Sequence, residues 1–229
     1  MKVLYSQLKK FLPDLKASPK EVANTFTLTG FMLDKFFEVE YLGKKDFLLD
    51  LEVRQNRADG FSVRGSAREL SAYYNIPLVK DTCEKPLSEN NQKVKITVKA
   101  QKAVKRVMAV KISNIKLSES PAWLKEYLAF YEINSVNNLV DLTNYIMLET
   151  GHPSHAFDTN LSREELIWEI NPDYKKMTSL DGTEIELTSE ALCVSDGKEP
   201  LALAGIVGGK KAGINEATKE IILEMAVYD

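Results

Sequence analysis

An α+β fold, made of a small α/β N-terminal module and a mainly antiparallel α+β domain, is what the sequence predicts. Three observations predict it. A helix start followed by two strand-like stretches opens the chain, a polar stretch rich in turn formers interrupts it near residue 85, and short alternating runs joined by Asp-Gly pairs fill the remainder. The 229 residues, 44% hydrophobic and 28% charged, have the composition of a globular protein and suffice for two small cores.

Ser18-Pro19-Lys20-Glu21 forms a capping box with proline at the first helical position, so a helix is expected to about Leu28. Residues 31–42 and 46–53 read as strands; in the second, Leu49, Leu51 and Val53 alternate with Asp50 and Glu52. Residues 56–60 form a loop, and Ser62 caps a helix over 63–74, closing this unit near Pro77. Residues 81–92, with Pro86, Ser88 and Asn90-Asn91, are the linker candidate, dividing the chain into domains at 1–85 and 86–229. Beyond it Val94, Ile96 and Val98 alternate, and residues 104–115 continue as a long strand. Ser120-Pro121 is expected to cap a helix bearing Trp123, Leu124, Tyr127 and Leu128, and another helix runs over 137–149 to a stop at Thr150-Gly151. Asp181-Gly182 and Asp196-Gly197 each signal a two-residue hairpin turn. No internal repeat or low-complexity tract is evident.

Thirty basic against thirty-three acidic residues give a net charge of −3, whereas a chain that grips nucleic acid alone is usually basic. Apolar runs fall short of the roughly 18 residues a membrane span needs, and MKVLYSQLKKFL lacks a secretory pattern, so a cytoplasmic protein is expected. Cys83 and Cys193 stand far apart with no second ligand nearby and read as reduced thiols.

The stretch LALAGIVGG, residues 201–209, is the chemical puzzle, because a packed interior has no use for missing side chains. A P-loop fails: Gly209-Lys210 is followed by Lys211, and Ala204 stands where its first glycine belongs. A dinucleotide fingerprint fails on spacing. Two readings stay open, a glycine bulge leaving a hairpin strand, or a pocket wall with Ala204 and Gly205 on the wall and Gly208 turning the chain. Asn144, mid-helix where an amide is a mediocre helix former, and His155, in the loop beyond that helix, favour the pocket. His152 and His155 are the only histidines; each could equally be a hydrogen-bonded structural group, and no metal site is expected from the pair. Glu224 shares a strand face with Ile222 and Ala226, which puts its carboxylate either at a rim or buried with a partner.

Taken in order, QNRADGFSVRGSARELSAYYNIPL, VNNLVDLTNYIMLETGHPSHAFD, SLDGTEIELT, SDGKEPLALAGIVGG and IILEMAVYD resemble the beta subunit of bacterial phenylalanyl-tRNA synthetase over nearly the whole chain. The resemblance implies an editing (B3/B4) domain that hydrolyses mischarged tyrosyl-tRNA(Phe). It implies that Glu224 accepts the tyrosine hydroxyl with Gly208 alongside, and that Asn144 and His155 stand near the ester and the attacking water. Ala204 and Gly205 would form the wall for the aromatic ring, reached from neighbouring strands. It further implies partnership with the acceptor end of tRNA(Phe) and with an alpha subunit in a heterotetramer. ATP and magnesium belong to the aminoacylation site of that partner, leaving no cofactor in this chain.

The sequence departs from the family where FFEVEYLGKKDFLLDLEV runs straight through, without the family's inserted oligonucleotide-binding fold. Ala58, Gly60, His152 and Ser154 replace residues the family favours. The end at Asp229, short of the family's remaining modules, suggests a truncated or free-standing relative. The competing expectation is a structural or RNA-binding module that keeps the fold without the hydrolysis, and a third is a nucleotide-binding protein using residues 205–210.

Overall fold

In the computed structural model, which describes residues 1–80, 94–160 and 165–229, helix α2 (Pro19–Leu28) begins at the expected capping box. The Glu21 amide donates to Ser18 Oγ at 3.4 Å, and the Ser18 amide donates to the Glu21 carboxylate at 2.7 Å. Before it come two elements the local pattern does not announce, strand β1 (Lys2–Leu4) and helix α1 (Tyr5–Phe11). Strands β2 (Met32–Tyr41) and β3 (Lys44–Glu52) follow as expected, and β1 pairs with β3 to complete an antiparallel sheet of order β1-β3-β2. Helix α3 (Val63–Tyr74) starts at Ser62, whose Oγ accepts from the Gly65 amide at 2.9 Å. Leu8, Phe26, Leu49, Leu51, Val63 and Leu70 bury one core between these helices and the sheet.

Two compact units result, Met1–Leu87 with Ser118–Pro153, and Ser88–Leu117 with Ser154–Asp229. The expected single cut near residue 85 therefore misses a return of the chain. Helices α4 (Ala122–Phe130) and α5 (Asn138–Thr150) belong to the first unit. The reason is aromatic packing: Leu124, Tyr127 and Leu128 bury themselves against Leu4, Tyr41 and Leu48. Asn137 caps α5, accepting from the Leu139 and Val140 amides. Ser120 does not cap α4 as expected; Pro121 holds the cap position, and the Ser120 hydroxyl donates to Asp141 instead. The linker proposed at 81–92 and the thiol of Cys83 lie outside the described residues.

The second unit faces one sheet with another. A mixed five-stranded sheet has the order β12-β11-β10-β7-β4, built from β4 (Lys95–Val98), β7 (Glu165–Ile170), β10 (Leu192–Ser195), β11 (Pro200–Leu203) and β12 (Val207–Gly208). Within it, β4 and β7 run parallel. The antiparallel partner has the order β5-β13-β6, from β5 (Val104–Ser113), β6 (His155–Asp158) and β13 (Glu220–Tyr228). Phe157 and Ile222 of the second sheet pack into one core with Leu166, Trp168, Val194 and Leu201 of the first. The Asp181-Gly182 hairpin appears as β8 (Lys176–Thr178) and β9 (Glu184–Glu186). Between β10 and β11 the turn is longer than expected, since Asp196 Oδ1 accepts from the Lys198 and Glu199 amides and holds four residues out of the ladder.

Candidate functional site

Strand β13 carries Ile222, Glu224 and Ala226 on one face, as the alternation requires. Glu224 stands opposite His155 of β6 on one side and Ala109 of β5 on the other. Directly opposed residues share a face, so the carboxyl and the imidazole both project toward the apolar interior of the unit. Glu224 is 8% exposed, and its Oε2 has no hydrogen-bond partner among the described residues. Burial alone pushes its carboxyl up to about 7. The Nε2 of His155 is likewise buried and unpartnered, and burial lowers the imidazole below its ordinary value, keeping it neutral at pH 7. Its ring meets Phe157 edge-on at 4.5 Å.

The glycine stretch comes from the opposing sheet. Gly205 makes the turn from β11 into β12 with φ +71°, a conformation that glycine adopts without penalty, and the Ile206 amide closes it on the Leu203 carbonyl at 3.0 Å. Gly208 lies in β12, paired with Ala202. Two expectations change here. Gly205, rather than Gly208, turns the chain, and the stretch reaches the Glu224 side across facing sheets rather than from a neighbouring strand, because β13 is already flanked by β5 and β6.

What approaches this bare backbone is a pair of rings belonging to the chain itself. A Cβ at Gly208 would overlap His155 Cε1 and stand 3.0 Å from Nε2. A Cβ at Gly205 would stand 3.2 Å from the edge of the Tyr228 ring. Ala204, half-buried, packs against the core of this unit, and its amide donates to the Leu192 carbonyl at 2.9 Å. The second unit thus brings together Glu224, His155, Ala204, Gly205 and Gly208. Asn144 belongs to the first unit, half-buried on α5.

Sequence reasoning missed Tyr228 and Leu180. Tyr228 receives a hydrogen bond from Trp168 Nε1 at 3.3 Å, and burial together with the Glu224 charge raises its phenol. Its place two residues beyond Ala226 on the same alternation was the available signal, obscured by a register shift at Val227/Tyr228. Leu180 sends one methyl to within 3.0 Å of the Gly208 Cβ position and the other to within 2.8 Å of that of Gly213, and no periodicity marks it. Among the described residues no group of three or more His, Cys, Asp or Glu side chains is placed to hold a metal ion, and no helix is long and apolar enough to cross a membrane.

Residues 103–229, more than half the chain and including β5, β6, β12 and β13, match the family described as the B3/4 domain. The chain belongs to that family. This B3/4 chain is also similar to proteins named phenylalanine–tRNA ligase beta subunit. One from Carboxydothermus hydrogenoformans is 38% identical over 201 residues, covering 87% of this chain and 25% of that protein. Others from Vibrio parahaemolyticus and Aquifex aeolicus are 37% and 38% identical over 190 residues, each with 24% of the relative covered. The chain spans about a quarter of the length of these curated relatives. An N-terminal fragment of the phenylalanyl-tRNA synthetase beta subunit from Pyrococcus horikoshii aligns with all of this chain and 68% of its own, at 17% identity and a TM-score of 0.48.

Chemically, this B3/4 site offers one proton acceptor or donor of each kind inside an apolar shell. The Glu224 carboxyl, poised near neutrality, can accept from or donate to a hydroxyl. The neutral His155 can orient a water through Nε2.

Proposed function

We propose that this chain is the proofreading part of a phenylalanyl-tRNA synthetase beta subunit and hydrolyses tyrosine wrongly esterified to tRNA(Phe). The observation that carries the reading is the buried Glu224 carboxyl with Oε2 unpartnered, on the same sheet face as the unpartnered Nε2 of His155. Buried polar atoms are nearly always hydrogen-bonded, so an orphaned carboxyl oxygen calls for a visiting donor. A phenolic hydroxyl is such a donor, and a phenylalanine ring in its place would leave the carboxyl unsatisfied. Selection of that kind reaches roughly ten-thousandfold, against about a hundredfold for an apolar pocket rejecting an added hydroxyl. His155 positions the water, whose oxygen bonds to the ester carbonyl carbon. The bond to the ribose oxygen breaks, the water's proton passes to that oxygen, and free tyrosine and tRNA leave. In this reading the Tyr228 and His155 rings, which lie beside Gly205 and Gly208, swing aside so that these glycines and Ala204 supply the wall beside the substrate ring. The partners in this reading are the acceptor end of tRNA(Phe) and the synthetase alpha subunit, whose own site uses ATP and magnesium.

Deacylation of tyrosyl-tRNA(Phe), with phenylalanyl-tRNA(Phe) as control, tests the proposal. The tyrosyl ester is expected to be hydrolysed faster, and Glu224→Ala is expected to slow that reaction and collapse the preference at least tenfold. An undiminished preference in the variant removes Glu224 from this role. A second reading, a structural or RNA-binding module without hydrolysis, has its own supporting observation, since the His155 and Tyr228 rings fill the space beside Gly208 and Gly205. A rate no greater than spontaneous hydrolysis by the wild-type chain would favour it.

A further inference from the structure

The first unit contains a cavity of about 600 Å³, lined by Ser6, Lys10, Tyr41, Lys44, Asp46 and Trp123 among others. Its construction follows from local periodicity. Ser6 and Lys10 are four apart on α1 and share a helix face, while Lys44 and Asp46 alternate to one face of β3. Tyr41 ends β2, and Trp123 and Tyr145 come from α4 and α5, their rings meeting edge to face at 5.4 Å. One side of the cavity is therefore aromatic. Trp123 at 37% exposure and Leu42 at 47% leave apolar surface open at its edge.

The polar groups divide by sign and depth. Asp46 is 6% exposed, and its Oδ1 accepts from the Ser6 amide at 3.2 Å and the Phe47 amide at 2.7 Å. Those bonds explain one oxygen as a brace between β3 and the start of α1. The other, Oδ2, is buried without a partner, and so is the Ser6 hydroxyl. Lys45 pairs with Glu38 and lies over Phe47, but Lys10 and Lys44 hold no ion pair among the described residues. The cavity thus presents an aromatic face, the side of Asp46 whose second oxygen is buried without a partner, and the ammonium groups of Lys10 and Lys44, of which Lys10 also draws the carboxyl of Glu149 down against the upward push of burial.

We propose that this cavity binds a nucleotide with an amino-bearing base, the base amine donating to Asp46 Oδ2, the ring lying on the Tyr41–Trp123–Tyr145 wall, and the phosphate meeting Lys10 and Lys44. Each part has a physical reason. Aromatic side chains stack any base, lysines neutralise phosphate, and a buried carboxylate discriminates amine from carbonyl. A simple cation would suit Asp46 and the rings but not the lysines, and a plain aromatic would leave Asp46 unsatisfied. The volume exceeds that of one mononucleotide and falls within the range of ordinary ligand sites. This site is independent of the Glu224 site and of the proofreading reading.

Calorimetric titration of the full chain with AMP, UMP, adenosine and inorganic phosphate tests the proposal directly. AMP is expected to bind at least tenfold tighter than UMP, which carries a carbonyl where AMP has its amine, and at least tenfold tighter than adenosine or phosphate alone. Lys44→Glu, at an exposed position, is expected to weaken AMP binding at least tenfold with the melting temperature unchanged. Asp46→Asn turns its oxygen to the two amides and its amide nitrogen to the cavity, so the AMP-over-UMP preference should reverse. A five-residue oligoadenylate separates the two sources of the ligand: binding ten or more times tighter than AMP identifies single-stranded RNA, and equal or weaker binding identifies a free nucleotide. No heat with AMP at millimolar concentration, equal affinity for UMP, or indifference to Lys44→Glu would each overturn the inference. The wild-type comparison of AMP with UMP decides even if the Asp46 variant fails to fold.

Discussion

Asp141 in the first unit and Glu224 in the second are both buried carboxylates, and they differ in everything that follows from their partners. Asp141, wholly buried in the first turn of α5, accepts hydrogen bonds from the Ser120 and Ser135 hydroxyls and from the Val136 amide at 2.9 Å. Burial pushes its carboxyl up, but those bonds outweigh it and hold the group below its usual range. Its position at a helix N-terminus favours the charge further. Glu224, nearly as buried, has an oxygen with no partner and is pushed the other way, to about 7. The first is a finished structural knot joining α4's approach to α5. The second is held charged only at a cost, and the difference marks which of the two awaits something from outside. Glu169 sorts with Asp141, since Lys99, Ser195 and Tyr174 all donate to it. Asp46 falls between, with one oxygen satisfied and one not.

The comparison can be broken most severely at its structural end. Asp141→Ala strands two hydroxyls and an amide, and a loss of about 3 kcal/mol is expected in chemical denaturation. A loss below about 1 kcal/mol would mean the knot is not what holds α5. Next in size is Gly208→Ala, whose methyl meets the His155 ring and Leu180. A loss of about 2 kcal/mol is expected, because an overfilled interior must move neighbours. Deacylation should fall with it, since the ring to be displaced is the one proposed to orient water. An unshifted melt would show that the ring yields freely.

The pH-dependent effect is the most specific. A carboxyl whose folded pKa lies above its unfolded value of 4.5 contributes stability in its protonated form, and that contribution is lost as pH rises from about 4.5 through about 7. Glu224→Gln removes the titration, so the variant should gain about 3 kcal/mol over wild type at pH 8 and almost nothing at pH 4. His155 runs oppositely: its lowered value costs stability as pH falls below about 6.5, and it does so equally in both proteins. Equal differences at both pH values would contradict the burial of Glu224.

Local rules made much of this architecture legible. The Ser18–Glu21 capping box, the Leu49–Leu51 alternation and the Asn137 start of α5 all form as read, because each depends on residues within a few positions. The face of Glu224 was legible for the same reason. Strand β1 and helix α1 were not, as three and seven residues are too short to display a period. Nor was the return of α4 and α5 to the first unit, which Tyr127 and Leu128 decide by burying against Tyr41 and Leu48 across a long separation in sequence. For the glycine stretch, small residues signalled close approach correctly. The identity of the approaching groups, His155 and Tyr228, required the two sheets to face each other.

The central claim, that the Glu224 carboxyl receives a phenolic hydroxyl, is tested most directly by following the carboxyl carbon of Glu224 by NMR through a pH titration. Non-hydrolysable 3′-amide analogues of tyrosyl-adenosine and phenylalanyl-adenosine serve as ligands. A donated O–H stabilises the ionised form, so the tyrosyl analogue should lower the midpoint from about 7 while the phenylalanyl analogue leaves it in place or raises it. Identical midpoints with both analogues bound would contradict the account.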